Sequence, residues 1–531
     1  MAPELAVVDA RIRTLVPERP FASALAIEGG VIVAIGDTAE VRAACGPRTT
    51  VLSGPSWHVT PGLTDGHQHL LMGAQVAQGV NFDRVSSLPE IRRLLRAERE
   101  RVGPDAWVTG FALEYAALEG ADYHHDLIDE AAGPGPMLIH TLDMHTGMAN
   151  DLALRIAGVT GSREFEDGSF IVVDGDGAPT GELREMAAIR TVWQCMPEAT
   201  DEERRGWVAE VIRAQNAVGI TGIHQMDGGL ETADAFRALE EAGLLNLRIR
   251  FHQWVDPSDS PDALAEIIRR RDLVGSNWTA NSVKLMLDGV IDTGTAWLEE
   301  SDTRGDGNDP MWPDPDHFRR TIRQFHDAGF HIATHAIGDR AIREVLDAYA
   351  SAGGSAGRHR VEHGEAAPPE LVARFRRERV SASMQPIHLR WLSPELSDPW
   401  SVRLGVHRCA HAMPSGDINA TGANVVLGSD WPVAPYDPRM GFFAAQRRYA
   451  PDVQDHRPLG TSRALTGLET LAGYTVNAAR VDDGPGGVLR VGAPADLVAW
   501  GDDIVECAPE DVTDLPVHLT VVAGRIAHHH D

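Results

Sequence analysis

Only four cysteines occur in 531 residues, Cys45, Cys195, Cys409 and Cys507, and no two of them form a CxxC pair. Scattered cysteines exclude a disulfide scaffold and a cysteine zinc ribbon, and they fit a reducing cytoplasm. Positive charge is also scarce: 48 Lys plus Arg stand against 77 Asp plus Glu, a net charge of −29. Such a surface repels nucleic acid and anionic membranes, so neither is expected as a partner, and its plain consequence is solubility. No apolar run approaches the length of a membrane span. The opening MAPELAVVDARIRTLVPERP lacks the basic start and apolar core of a signal peptide.

Hydrophobic residues, by contrast, make up 43% of the chain, enough for a sizeable core. The length exceeds one ordinary domain and points to a large barrel with additions, or to several domains. Histidine is abundant at 23, and three of these (His528, His529, His530) stand in the final HHHD, which reads as a frayed tail rather than a site.

Residues 1–60 read as short strands, with LAVVDARIRTLV, SALAIEGGVIVAIG and TTVLSGPSWHVTPG alternating apolar and polar residues around GG and GD turns. Residues 485–531 look alike, through GGVLRVGAPADLVAWGDD and PVHLTVVAGRIA. The two ends are expected to pair into one composite β-sandwich, bringing the termini together. From about residue 200, apolar runs alternate with amphipathic helical stretches such as EERRGWVAEVIRAQNAVG and DHFRRTIRQFHDAG. The runs are GITGIHQM, NLRIRFHQWV, NSVKLML, GFHIATHAI, RHRVEHGE, RVSASMQP and NVVLGSD; PGLTDGHQHLL near residue 61 makes eight. Strand–helix alternation argues for a parallel sheet, and eight strands close a (β/α)8 TIM-type barrel, expected over 61–74 plus 196–484. Residues 75–195 break the rhythm and are expected to form an inserted α/β lobe, with SFIVVDGDGAPTGEL as a hairpin.

The strongest local signal is His67-Gln68-His69 at the end of an apolar run. Residues two apart on a strand face one side, so both imidazoles can reach one metal; the alternative is a strand-capping His beside a solvated one. His335, His363 and Asp430 likewise end predicted strands, where barrel enzymes place catalytic groups. Imidazole nitrogen with carboxylate oxygen suits zinc, and also manganese or iron. Lys284 lies inside the apolar run NSVKLML, where its charge is costly unless used. It could pair with a carboxylate such as Asp288, or be carbamylated by CO₂ into an anionic ligand. Trp297, Trp312 and Trp431 flank strand ends and either line an apolar pocket or pack ordinarily, while His224 and His252 read as packing histidines.

Several segments together resemble the metal-dependent amidohydrolase superfamily, more narrowly its branch similar to N-substituted formamide deformylases. They are PGLTDGHQH (61–69), GAPTGELREMA (177–187), VKLMLDGVID (283–292), ATHAIGDRAI (333–342), RHRVEHGE (358–365), SMQPIH (383–388) and GSDWPV (428–433). The resemblance implies that His67 and His69 bind a more buried metal and that His335 and His363 bind a second. It also implies that carbamylated Lys284 bridges them and that Asp430 binds the buried metal and shuttles a proton. His145, in DMHTGMAN, matches a position near the substrate, or is a loop histidine without a role. Glu185 is either another ligand or a supporting carboxylate.

The expected activity is cleavage of an amide C–N bond, of N-substituted formamide or N-acyl amine type, by water activated on one or two divalent ions, zinc foremost. Asp430 is then the catalytic base, with His145 and Trp431 at the substrate. The substrate is a small-molecule amide, and a homo-oligomer is left open. Rival readings on the same scaffold are a cyclic-amide or ring hydrolase or deaminase, and an ester or carbamate hydrolase. A non-catalytic relative would be expected to have lost metal ligands, and here the set His, His, Lys, His, His, Asp is complete.

Overall fold

A computed structural model of the chain describes every residue except 1, 119, 143, 166, 167, 230, 356 and 531. It divides into two units, one formed by Met1–Gln68, Ala209–Asp430 and Pro435–Asp531, the other by His69–Val208 and Trp431–Ala434.

The centre of the first unit is an eight-stranded parallel sheet in sequential order: β1 (Leu63–Gln68), β2 (Ile220–Gly228), β3 (Arg248–Trp254), β4 (Trp278–Met286), β5 (His331–Ala336), β6 (Arg360–His363), β7 (Ser381–Met384) and β8 (Val425–Leu427). All eight apolar runs of the sequence are strands. Their neighbour-to-neighbour parallel pairing explains why they read as runs rather than alternations, since both faces are covered. The sheet curls until its first and last strands meet: a Cβ on Gly66 of β1 would lie 2.3 Å from Val426 Cγ1 of β8. Helices fill the crossovers. Pro315–Asp327, for example, starts on the Asp314 cap and buries Phe318, Thr321, Ile322 and Phe325, a 3–4 spacing that lays one face on the core.

Strands from both chain ends form two further sheets in this unit, Val31–Gly36, Ala24–Glu28, Leu5–Val8 and Thr50–Ser53 in one, and Arg525–His529, Val517–Val522, Leu497–Trp500, His58–Pro61, Arg11–Arg13 and Phe21–Ala22 in the other. Leu5, Val7, Leu25 and Ile27 of the first share one buried cluster with Val59, Leu497, Leu519 and Val521 of the second. The final histidines are not a frayed tail: His528 and His529 pair with Thr520 and Leu519, and His530 N donates to His518 O. The strand they extend has neighbours to bond, which outweighs their weak strand preference.

The second unit holds a seven-stranded mixed sheet over its own apolar clusters. Its hairpin Phe170–Val173 against Pro179–Arg184 falls where the sequence places one. No helix among the described residues is long and apolar enough to cross a membrane.

Candidate metal centre

The site is built on the seam where β1 meets the end of β8. Asp430 N donates to His67 O at 2.7 Å. Buried Asp65 of β1 accepts from His67 N (3.1 Å), Ser429 N (2.9 Å) and Ser429 Oγ (2.5 Å). Burial lifts the Asp65 carboxyl to about 7, against the pull of these donors. The approach leaves no room for a side chain at Gly428, whose Cβ would come 2.5 Å from His67 N and 2.8 Å from Asp65 Oδ1. Asp430 (φ 64°) and His363 (φ 70°) both hold left-handed backbone, which non-glycine residues adopt at a cost and which clusters at functional sites.

Within this frame the side chains converge. His67 Nε2 lies 3.4 Å from Asp430 Oδ1, and the His67 and His363 rings are 4.8 Å apart, centre to centre. The His335 and His363 rings are 4.4 Å apart, and His335 Nε2 lies 3.2 Å from Gly289 O. Asp430 Oδ2 is approached by two imidazoles, His363 Nδ1 at 3.9 Å and His388 Nε2 at 3.8 Å. Both nitrogens are buried and neither makes a hydrogen bond to any described residue. Burial, reinforced by the neighbouring His335 and His67, holds His363 well below the usual histidine range, so its ring is neutral, the metal-binding form. Buried imidazole nitrogens lacking hydrogen bonds, turned on one carboxylate oxygen, are a donor set that fits a divalent cation. His363, His388 and Asp430 place three donor atoms within 4.8 Å of one another.

Lys284 is fully buried in β4, paired in register with Ala333 of β5. Desolvation draws its ammonium down to about 8, opposed by the charges of Glu362 and Asp430. Asp288 is not its partner: that carboxylate accepts from Trp297 N (2.9 Å), Ile337 N (3.0 Å) and Gly338 N (2.8 Å), tying together the loops after β4 and β5.

Behind His67 a buried polar chain runs through the barrel. His67 Nδ1 donates to Glu362 Oε2 at 2.6 Å, and Glu362 Oε1 faces Arg360 Nε at 2.6 Å. Arg360 Nη1 donates to His224 Nδ1 at 2.6 Å, which leaves His224 Nε2–H for Asp482 Oδ2 at 3.1 Å. His224 is therefore a link in this chain rather than mere packing. His252, with Nδ1 3.1 Å from Gln225 O, packs as expected.

The other anticipated residues lie in the second unit. His69 stands at the residue before the helix Leu70–Val76 without a side-chain capping bond, and its backbone N–H donates to Trp431 O at 2.8 Å. The Trp431 ring packs on Gly73, where a Cβ would come within 2.4 Å of it. His145 Nδ1 lies 2.7 Å from Glu185 Oε2, and Glu185 N donates to His145 O, also at 2.7 Å. Trp312 is a core residue, fully buried with Nε1 donating to Met286 O, and Trp297 joins the same cluster.

Sequence reasoning did not single out His388, Glu362 or Glu365. His388 stands on the short 3₁₀ turn Pro386–Trp391, past the end of β7, so a search at strand ends passes it over. The available signal was a histidine two residues after Pro386 in SMQPIH.

A model of the Amidohydrolase family matches residues 57–528. The chain is 28% identical to the protein LONG AFTER FAR-RED 3 of Arabidopsis thaliana, over 98% of this chain and 91% of that protein. It is 25% identical to an N-substituted formamide deformylase of Arthrobacter pascens, over 98% and 97%. An uncharacterized metal-dependent hydrolase of Pyrococcus horikoshii OT3 superposes with a TM-score of 0.73 at 21% identity, over 95% of this chain and 99% of that one, a likeness of fold. With nearly the whole sequence matched from the first barrel strand to the last sheet, the chain belongs to the amidohydrolase family and is a hydrolase.

Proposed function

We propose that the chain hydrolyses the C–N bond of a small amide, of N-substituted formamide or N-acyl amine type. A divalent cation, zinc by preference, is held by His67, His69, Lys284, His335, His363 and Asp430, as one ion or two. The observation that carries the reading is the approach of two buried imidazole nitrogens lacking hydrogen bonds, His363 Nδ1 and His388 Nε2, to one oxygen of Asp430. The relation to an N-substituted formamide deformylase supports the amide class.

When bound, the cation lowers the pKa of water toward neutrality and polarises a carbonyl oxygen. The residues supply the rest. Glu362 holds the His67 proton on Nδ1 and so turns the Nε2 lone pair toward Asp430. Asp430 takes the proton of the attacking water and returns it to the leaving nitrogen, general acid–base help typically worth about 10²–10⁴-fold. Lys284, desolvated, reaches its neutral amine near physiological pH. That amine would add CO₂ and lose one proton, giving an anionic carbamate through which Lys284 would help hold the cation. His145, oriented by Glu185, and Trp431 contact the substrate. The four free cysteines fit a reducing cytoplasm.

The test joins elemental analysis of protein produced without added metal to product analysis over a substrate panel. N-substituted formamides and N-acyl amines should release amine in a chelator-sensitive manner. Turnover of cyclic amides or esters alone would overturn the substrate class, and chelator-resistant turnover would overturn the metal.

A further inference from the structure

We propose that His388 is itself a metal ligand and completes, with His363 and Asp430, a three-residue cation site. This rests on the reading above that the centre binds a divalent cation. His388 is buried, with its Nε2 turned toward Asp430 Oδ2 and without a hydrogen bond to any described residue. The opposite face of its ring is occupied: Nδ1 lies 3.5 Å from Glu365 Oε1. Glu365 is in turn fixed by Trp400 Nε1, which donates to Oε2 at 2.8 Å. A carboxylate behind Nδ1 places the proton there and leaves Nε2 as a lone-pair donor, the arrangement by which carboxylates orient ligating histidines. His67 repeats it with Glu362. The His363 and His388 rings lie nearly parallel, 19° apart with centres separated by 6.2 Å, so each presents its unpartnered nitrogen to the same carboxylate. His388 is also well anchored, since Trp391 packs on its other side with ring centres 4.9 Å apart.

The experiment uses the full-length protein stripped by chelation and retitrated with zinc against a competing chromophoric chelator. Absorbance of the cobalt(II)-substituted protein is recorded in parallel. Wild type should take up zinc. His388→Gln should weaken binding at least 10-fold or lower the stoichiometry by one ion, and should alter the cobalt bands. Glu365→Gln should weaken binding about 10- to 100-fold, the usual cost of losing a carboxylate behind a ligating histidine. Wild-type zinc uptake combined with unchanged affinity, stoichiometry and cobalt spectrum in His388→Gln overturns the assignment while the metal centre stands. Absence of zinc uptake by the wild type overturns the metal reading and this proposal with it. If His388→Gln fails to fold, as judged by circular dichroism, Glu365→Gln decides, and unchanged affinity in that variant overturns the proposal.

Discussion

His67 Nδ1 lies 2.6 Å from Glu362 Oε2, and both side chains are sealed from solvent. A proton held on Nδ1 by this carboxylate leaves Nε2, the nitrogen facing Asp430, as the lone-pair donor. In Glu362→Gln the acceptor loses its charge, and zinc affinity should fall about 10- to 100-fold. Competition with a chelator measures this directly. Activity should return at high zinc concentration, whereas a loss that zinc cannot restore would give Glu362 a different part.

Asp430→Asn keeps the shape and one oxygen but cannot take a proton at neutral pH. Turnover should drop by about 10²–10⁴-fold, the scale of a lost general base. Zinc content measured on the same sample separates lost proton transfer from lost metal. Near-normal turnover would move the base elsewhere, with His145 the next candidate.

Lys284 should carry a carbamate in metal-loaded protein. Growth or incubation with ¹³C-bicarbonate should yield a labelled carbamate carbon by NMR, and Lys284→Ala should abolish that signal. An unlabelled, metal-loaded wild type would rule the modification out.

Much of this was legible in the sequence, for a physical reason. Strands of a parallel barrel are covered on both faces, so RIRFHQW and HIATHA stand out as runs, and the residues ending them mark the site end. His67, His335, His363 and Asp430 read as candidates for that reason. His388 does not, because it sits on a turn beyond its strand. Arg360 and Glu362 do not, because a buried ion pair inside a strand looks like surface charge until its partners, His224 at 136 residues from Arg360 and His67 at 295 from Glu362, are known. The terminal histidines misled because pairing with Leu519 and Thr520, not their own preference, makes them a strand.

Gly428→Ala should be costly. Its Cβ would press on His67 N and Asp65 Oδ1, and overpacking of this kind destabilises by about 1–3 kcal/mol. The thermal midpoint should fall and zinc affinity with it. Gly484→Ala, whose Cβ would meet nothing closer than 3.7 Å, serves as the control and should melt like wild type.

His359 provides a pH test remote from the metal centre. Its Nδ1 accepts from Ile332 N at 3.3 Å and its Nε2 faces His326 Nδ1 at 2.9 Å, an arrangement that requires a neutral ring. Burial, with help from His326, Arg358 and His331, lowers it to about 3. Between that value and the unfolded value of about 6.5 the unfolded chain binds the extra proton. Stability contributed by the neutral ring is therefore complete above about 6.5 and is lost as pH falls toward 3. Urea unfolding of metal-stripped protein across this range should show a shallower acid slope in His359→Gln than in wild type.

The hydrogen bond from Asp430 N to His67 O joins the first strand of the barrel to the segment after the last. These two positions are 363 residues apart in the chain, and both carry donors of the proposed centre. A chain whose ring is still open therefore cannot assemble the cluster, however well its separate strands have formed. A cation shared by both positions in the proposed centre would therefore bind the closed barrel more tightly than an open one.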